Sequence, residues 1–250
     1  MRTVRLYTEN DLAAGLSVTL PSAQAHYLGH VMRLKAGAPV ALFNGRDGEW
    51  LANIASIKRG QAAVTLERQT RPQDADADLW LLFAPVKRAR IDFIAAKATE
   101  LGVAALAPVF TENTAVSRVN EERLAANAIE AAEQCGRNSV PAIQATASLA
   151  ERLTDWPEER NILLCDETGA GAPLIDALAG LPPDRAAAPW AVLCGPEGGF
   201  SRGELDLLAE KTIVTRISLG PRILRADTAA LAAISCWQAV LGDWRKPSGG

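Results

Sequence analysis

The chain has 250 residues, 48% of them hydrophobic and 22% charged, enough apolar material to core one large domain or two smaller ones. No apolar run approaches the length of a membrane span, and the N-terminus lacks the apolar stretch of a secretory signal. Cys135, Cys165, Cys194 and Cys236 lie far apart with no C-x-x-C pair, which argues against a disulfide scaffold or a metal site and predicts reduced thiols in a cytoplasmic protein.

The net charge of −3 hides an asymmetry. Residues 1–72 carry nine Lys/Arg and five Asp/Glu, a net of +4, whereas the remainder carries seventeen and twenty-four, a net of −7. The N-terminal part therefore has the electrostatic reason to meet a phosphate backbone.

That part has β character. Short strands are predicted at Val4–Tyr7, Val40–Phe43, Glu49–Ile57 and Gln61–Arg68, with Asn44-Gly45-Arg46-Asp47-Gly48 and Lys58-Arg59-Gly60 as turns. Tight glycine turns between short strands suggest a small barrel. One helix is expected from an N-cap at Ser22 to about Leu34. On it, His26 and His30 lie four apart and share a face. With only two histidines a metal reading falls short of ligands. They and Arg33 form a polar face, read either as surface packing or as an RNA contact in which Tyr27 stacks and Arg33 forks a phosphate.

Arg71 to Asp78 is polar, acidic and opened by proline, so the boundary falls there, giving domains of 1–72 and 73–250. Strands then alternate with helices. Strands are expected at Leu79–Ala84, Ala105–Phe110, Ile162–Cys165, Trp190–Leu193 and Ile213–Ile217. Helices are expected at Ile91–Glu100, Glu121–Gln134, Ser148–Leu153, Leu174–Ala179, Gly203–Glu210 and Thr228–Leu241. Such alternation predicts an α/β domain with a mostly parallel sheet.

Two strand-to-helix loops stand out. One is Cys194-Gly195-Pro196-Glu197-Gly198-Gly199-Phe200; the other runs from Ser218-Leu219-Gly220-Pro221-Arg222 through Ile223-Leu224-Arg225-Ala226-Asp227-Thr228. Ligands of open α/β sheets bind beyond the carboxyl ends of strands, and glycine there lets the backbone come close to them. GPEGGF lacks the G-x-G-x-x-G spacing of a dinucleotide fold, which disfavours a nicotinamide-dependent oxidoreductase.

These two motifs, with Lys97-Ala98-Thr99-Glu100-Leu101-Gly102-Val103 and Glu133-Gln134-Cys135-Gly136-Arg137, resemble the SPOUT class of RNA methyltransferases. Within it the chain is similar to the bacterial 16S ribosomal RNA uracil-N3 methyltransferases of the RsmE type. The resemblance implies a PUA-like RNA-binding β-barrel followed by a SPOUT domain with a trefoil knot, S-adenosyl-L-methionine as cofactor, 16S ribosomal RNA or the small subunit as partner, and a homodimer. It implies cofactor contacts from Leu193, Cys194, Gly195, Gly198 and Gly199 on the first loop. On the second it implies Ile217, Ser218, Leu219, Gly220, Ile223, Leu224 and Ala226.

The acceptor would be a uridine N3, an imide nitrogen that keeps its proton at neutral pH. Arg225 is the candidate to stabilise the charge that develops, and Asp227 or Glu197 to take the proton. The family commonly has Glu at the position of Asp227, and the shorter side chain counts against direct abstraction. An ion pair of Arg225 with Asp227 or Glu197 is the structural alternative. Lys97, Glu133 and Arg137 become candidate RNA or partner-chain contacts. The competing functions are methylation of another RNA group, such as a ribose 2′-hydroxyl, and an RNA-binding module without activity.

Overall fold

The computed structural model describes residues 3–58 and 60–245. Chain contacts divide it into two units: the first runs to Ala75 and takes in Ile129–Val140, and the second comprises Asp76–Ala128 and the chain from Pro141 onward.

The first unit contains β1 (Val4–Tyr7), β2 (Ser17–Leu20), α1 (Ser22–His26), β3 (Pro39–Phe43), β4 (Glu49–Lys58) and β5 (Gln61–Arg71). They form one sheet in the order β1-β3-β4-β5-β2, antiparallel except for the β1/β3 pair. Leu6, Leu20, Leu42, Ile54 and Val64, one from each strand, share a single core with Ala25 and Leu28. Register shifts along β4 mark bulges, which bend the strand and let the sheet curl around that core.

The predicted helix is shorter and differently built. Pro21 occupies the N-cap without a side-chain bond, so Ser22 is the first helical residue. After His26 the helix widens into a π turn over Tyr27–Val31. Arg33 then adopts a φ of 55°, which no helical repeat accommodates, and the helix ends short of Leu34. β2 has no counterpart among the predicted strands. Its four residues, Ser-Val-Thr-Leu, alternate exposed and buried, a pattern too short to stand out alone.

The second unit begins with β6 (Leu79–Phe83), α2 (Arg88–Glu100), β7 (Ala105–Phe110) and α3 (Glu121–Cys135), whose last turns count with the first unit. Two-residue strands β8 (Ala142–Ile143) and β9 (Ala147–Ser148) precede α4 (Leu149–Thr154) and β10 (Asn161–Cys165). Then come β11 (Ala172–Pro173), α5 (Leu174–Ala179), α6 (Pro183–Ala187), β12 (Trp190–Cys194), α7 (Arg202–Ala209), β13 (Val214–Ser218) and α8 (Ala226–Val240). Ser148 and Ser201 start α4 and α7 with full capping boxes to Glu151 and Glu204.

The sheet runs β11-β13-β10-β12-β6-β7-β8, with every recorded pairing parallel. β10 and β12 are buried along their whole length, which is why each reads as an unbroken apolar run rather than an alternation. β10 has β12 on one side and β13 on the other, so the chain order reverses about it. A crevice beyond the carboxyl ends at such a reversal is where open α/β sheets take ligands.

Candidate functional site

At that crevice lies a cavity of about 420 Å³, within the range of about 300–1,000 Å³ of small-molecule sites. Three loops build it, following β10, β12 and β13. In register, Cys165 sits opposite both Cys194 and Ile217, so the three strands end level and their loops open together.

Cys194, Gly195, Gly199, Ser218, Leu219, Gly220, Ile223, Leu224 and Ala226 line this cavity, as do Arg225 and Glu197. The remaining residues of the expected set lie behind it. Leu193 and Ile217 are fully buried strand residues, and Gly198 packs against Asn113. Asp227 is outside the lining; its Oδ1 accepts the Thr228 N–H at 2.9 Å in the first turn of α8.

Sequence reasoning missed the third loop. Cys165, Asp166, Glu167 and Gly169 line the cavity beside the two expected loops. A signal for it exists: Asp166-Glu167-Thr168-Gly169-Ala170-Gly171 also follows an apolar strand with acidic residues and glycine. Asn113 was missed as well. It donates to the carbonyls of Gly198 and Gly199 at 3.2 and 3.0 Å and so fastens the GPEGGF loop from behind.

The glycines do different work. A Cβ on Gly195 would lie 2.7 Å from the Phe200 ring, itself part of the core, so this glycine lets the loop close onto the protein. Gly220 has a φ of 98°, and a Cβ placed on it would meet nothing within 4 Å, so its constraint is conformational alone. Gly220→Val is expected to raise the dissociation constant for S-adenosylmethionine about tenfold, since the free loop relaxes away from a positive φ that costs a non-glycine residue roughly 1–2 kcal/mol and must be returned to it on binding. The urea midpoint should hardly move. Calorimetry showing unchanged affinity would mean that this loop geometry plays no part in binding.

Of the charged side chains that line the cavity, Asp166 and Glu197 are paired. Asp166 is buried and accepts from Arg216 at 2.7–2.9 Å and from the Thr168 N–H at 2.9 Å. Burial pushes its carboxyl up, but the Thr168 and Arg216 hydrogen bonds outweigh that and hold it below its ordinary value. Cys194 and Cys165 approach to 3.5 Å between sulfurs; this hydrogen bond, reinforced by burial, pushes the Cys194 thiol well up. A protonated thiol is no nucleophile. Glu197 pairs with Arg90 of α2. The Arg225 side chain makes neither an ion pair nor a hydrogen bond among the described residues, so the pairing expected as its structural alternative does not form.

These features suit S-adenosylmethionine, which is cationic at sulfur and has a polar amino-acid end. Backbone-lined loops and small residues offer it room and hydrogen bonds. Among the described residues, no cluster of three or more His, Cys, Asp or Glu side chains is placed to hold a metal ion.

The residues expected to meet RNA are spread over both units. His26 and His30 have ring centroids 4.6 Å apart in a stack, and Arg33 is exposed on the same short segment. Tyr27 is half-buried and packs on the core of the first unit. Glu133 accepts the Tyr7 N–H at 2.9 Å, and burial pushes its carboxyl above the usual range. The Arg137 Nε donates to Ser139 at 2.8 Å. Lys97 pairs with Glu100 one turn on, at 2.7 Å.

Comparison with known proteins agrees with this architecture. Residues 73–238 match the RNA methyltransferase domain family, and residues 20–67 the RNA methyltransferase PUA domain. The chain is 33% identical to ribosomal RNA small subunit methyltransferase E of Rickettsia conorii, over 94% of this chain and 95% of the relative. Among solved structures it resembles ribosomal RNA small subunit methyltransferase E from Neisseria gonorrhoeae bound to S-adenosyl methionine, at 26% identity, a TM-score of 0.84, and 95% and 98% coverage of the two chains. A Legionella pneumophila methyltransferase in complex with the same cofactor gives 29%, 0.82, 96% and 98%. With domain matches over most of its length and a relative at this identity, the chain belongs to the ribosomal RNA small subunit methyltransferase E family of RNA methyltransferases.

Proposed function

We propose that this protein uses S-adenosylmethionine to methylate N3 of a uridine in 16S ribosomal RNA. The observation that carries the proposal is an unpartnered arginine, Arg225, lining a three-loop cavity suited to the cofactor. Bound S-adenosylmethionine supplies an electrophilic methyl group, so the protein's task is to orient the acceptor and stabilise its charge.

N3 of uracil becomes nucleophilic as its N–H bond breaks, and the resulting charge spreads onto O2 and O4. The Arg225 guanidinium is permanently charged and planar, with donors free to meet one of those oxygens. Its backbone sits at the N-cap of α8, with φ −67° and ψ 152°, which fixes where the side chain starts. Asp227 is engaged with its own helix turn and Glu197 with Arg90, so water carries the proton away in this reading.

The first unit supplies RNA affinity through its net positive charge and through His26, His30 and Arg33. Glu133 and Arg137 serve to hold that unit together. The half-buried small residues of α8, Ala229, Ala232 and Ser235, together with the resemblance, support a homodimer, and the resemblance alone supports a knotted C-terminal segment. No helix among the described residues is long and apolar enough to cross a membrane. We place it in the cytoplasm, with the ribosomal RNA on which it acts.

Nucleoside mass spectrometry of ribosomal RNA from cells with and without the gene tests the proposal. Loss of one 3-methyluridine is expected. Loss of a ribose-methylated nucleoside would instead assign the enzyme to hydroxyl methylation, and an unchanged profile would leave the binding module.

A further inference from the structure

We propose that Arg90 is a positioning residue of this reaction: it captures Glu197 and thereby keeps Arg225 free for the uracil oxygen. The inference rests on the reading of Arg225 given above and adds a residue that neither cofactor loop contains.

The cavity holds three carboxylates and needs one open arginine. Asp166 is neutralised by Arg216 from the neighbouring strand. Among the described residues, Glu167 makes no ion pair with either arginine of the lining. Glu197 is the third, lies on the GPEGGF loop, and is about half exposed, with a side-chain exposure of 52%. It lines the same cavity as Arg225. A mobile carboxylate there would be the natural partner for a free guanidinium, because arginine and carboxylate form two parallel hydrogen bonds. Any such pair would have to break before the uracil could be engaged.

Arg90 prevents this. It arises in the first turn of α2, 107 residues away in sequence, and its guanidinium meets the Glu197 carboxylate. With 29% of its side chain exposed it is better buried than its partner, so the pair is anchored from the arginine side. Local spacing could not have revealed the contact. Its consequence is an arrangement in which Asp166 and Glu197 each have a cation of their own, while Arg225 and Arg222, the two arginines of the lining, are paired with neither.

Single-turnover methyl transfer with saturating ribosomal RNA and S-adenosylmethionine tests this. Arg90→Ala should slow transfer about tenfold, the scale of one charge-assisted hydrogen bond gained by the wrong partner. Arg90→Lys should keep most of the rate, since a point charge still holds Glu197. Removing the released charge in Arg90→Ala/Glu197→Gln should restore most of what Arg90→Ala lost. In an Arg225→Ala background, Arg90→Ala should cost nothing further, because no guanidinium remains to be captured. Calorimetric cofactor affinity and the urea midpoint check that each variant is folded, with Arg90→Gln as the substitute where alanine is not. If the double variant is as slow as Arg90→Ala, or slower, the inference is overturned. If Arg225→Ala itself transfers methyl at the parental rate, the failure lies with the reading of Arg225 instead.

Discussion

Arg225→Ala is expected to lower the single-turnover rate of methyl transfer about a hundredfold or more, the scale for losing one well-placed charge stabiliser. Affinity for S-adenosylmethionine should change little, because the charge Arg225 meets exists only as the imide proton departs. Loss from the rate without loss of binding is the mark of an interaction made in the transition state. Arg225→Lys should rescue weakly, since an ammonium cannot reproduce the planar fork. Raising the pH should partly restore the alanine variant, because more uridine is ionised before transfer. A variant rate that stays low and flat with pH would mean that Arg225 positions the base and does not stabilise its anion.

The second large effect falls on stability. Arg5→Ala is expected to destabilise the first unit by about 3–5 kcal/mol, the cost of stripping one partner from a buried ion pair. Arg5 has only 8% of its side chain exposed and Glu49 13%, and they meet at 2.6 Å. The same guanidinium donates to the carbonyls of Ala132, Glu133 and Arg137 at 2.8–3.1 Å and lies 4.5 Å from the centre of the Phe43 ring. It thus satisfies the free carbonyls at the end of α3, which a helix terminus otherwise leaves without partners. Arg71 reinforces the clasp, bonding Glu49 at 3.0 Å and the Gly136 carbonyl at 2.6 Å.

The sign of the pH dependence follows. Burial pushes the Glu49 carboxyl up, but hydrogen bonds from Arg5, Arg71 and Thr70 outweigh it and leave the pKa below its usual value. Its stabilisation is therefore present above the ordinary carboxylate range and is lost as pH falls through the lowered value. Glu133 has the opposite sign: its raised pKa favours the folded state most at low pH and loses that contribution as pH rises. Urea titrations should show the drop for Arg5→Ala at neutral pH and a smaller one in acid. The Arg5→Ala/Glu49→Ala double variant should lose less than the sum of the singles. Equal losses at both pH values would remove the ion pair from the explanation.

What can be read from sequence divides along the range of the interactions. The longer strands of the second unit and its helices other than α6 are legible because β10 and β12 are continuous apolar runs and Ser148 begins a helix with Glu151 three residues on. The two-residue strands β8, β9 and β11 and the short α6 are not. The two glycine loops are legible because glycine and proline punctuate them. The π turn at Tyr27 is not, since its residues satisfy an ordinary helical pattern up to the strained Arg33. Nor is the clasp of Arg5 on the end of α3, which joins residues 127 to 132 apart. Glu133 and Arg137 look like one solvated helical pair by spacing alone. Glu133 instead accepts the Tyr7 N–H, 126 residues away, which only tertiary contact reveals, while the Arg137 Nε donates to Ser139 two residues on.

The most direct test is an in vitro transfer. Purified protein, S-adenosylmethionine carrying a labelled methyl group, and small ribosomal subunits or 16S RNA from cells lacking the gene are combined, and the RNA is digested to nucleosides. Label is expected in 3-methyluridine alone with the parental protein, and roughly a hundredfold slower labelling, or slower still, with Arg225→Ala. Label in a ribose-methylated nucleoside, or no transfer by a folded protein that binds the cofactor, would contradict methylation at uridine N3.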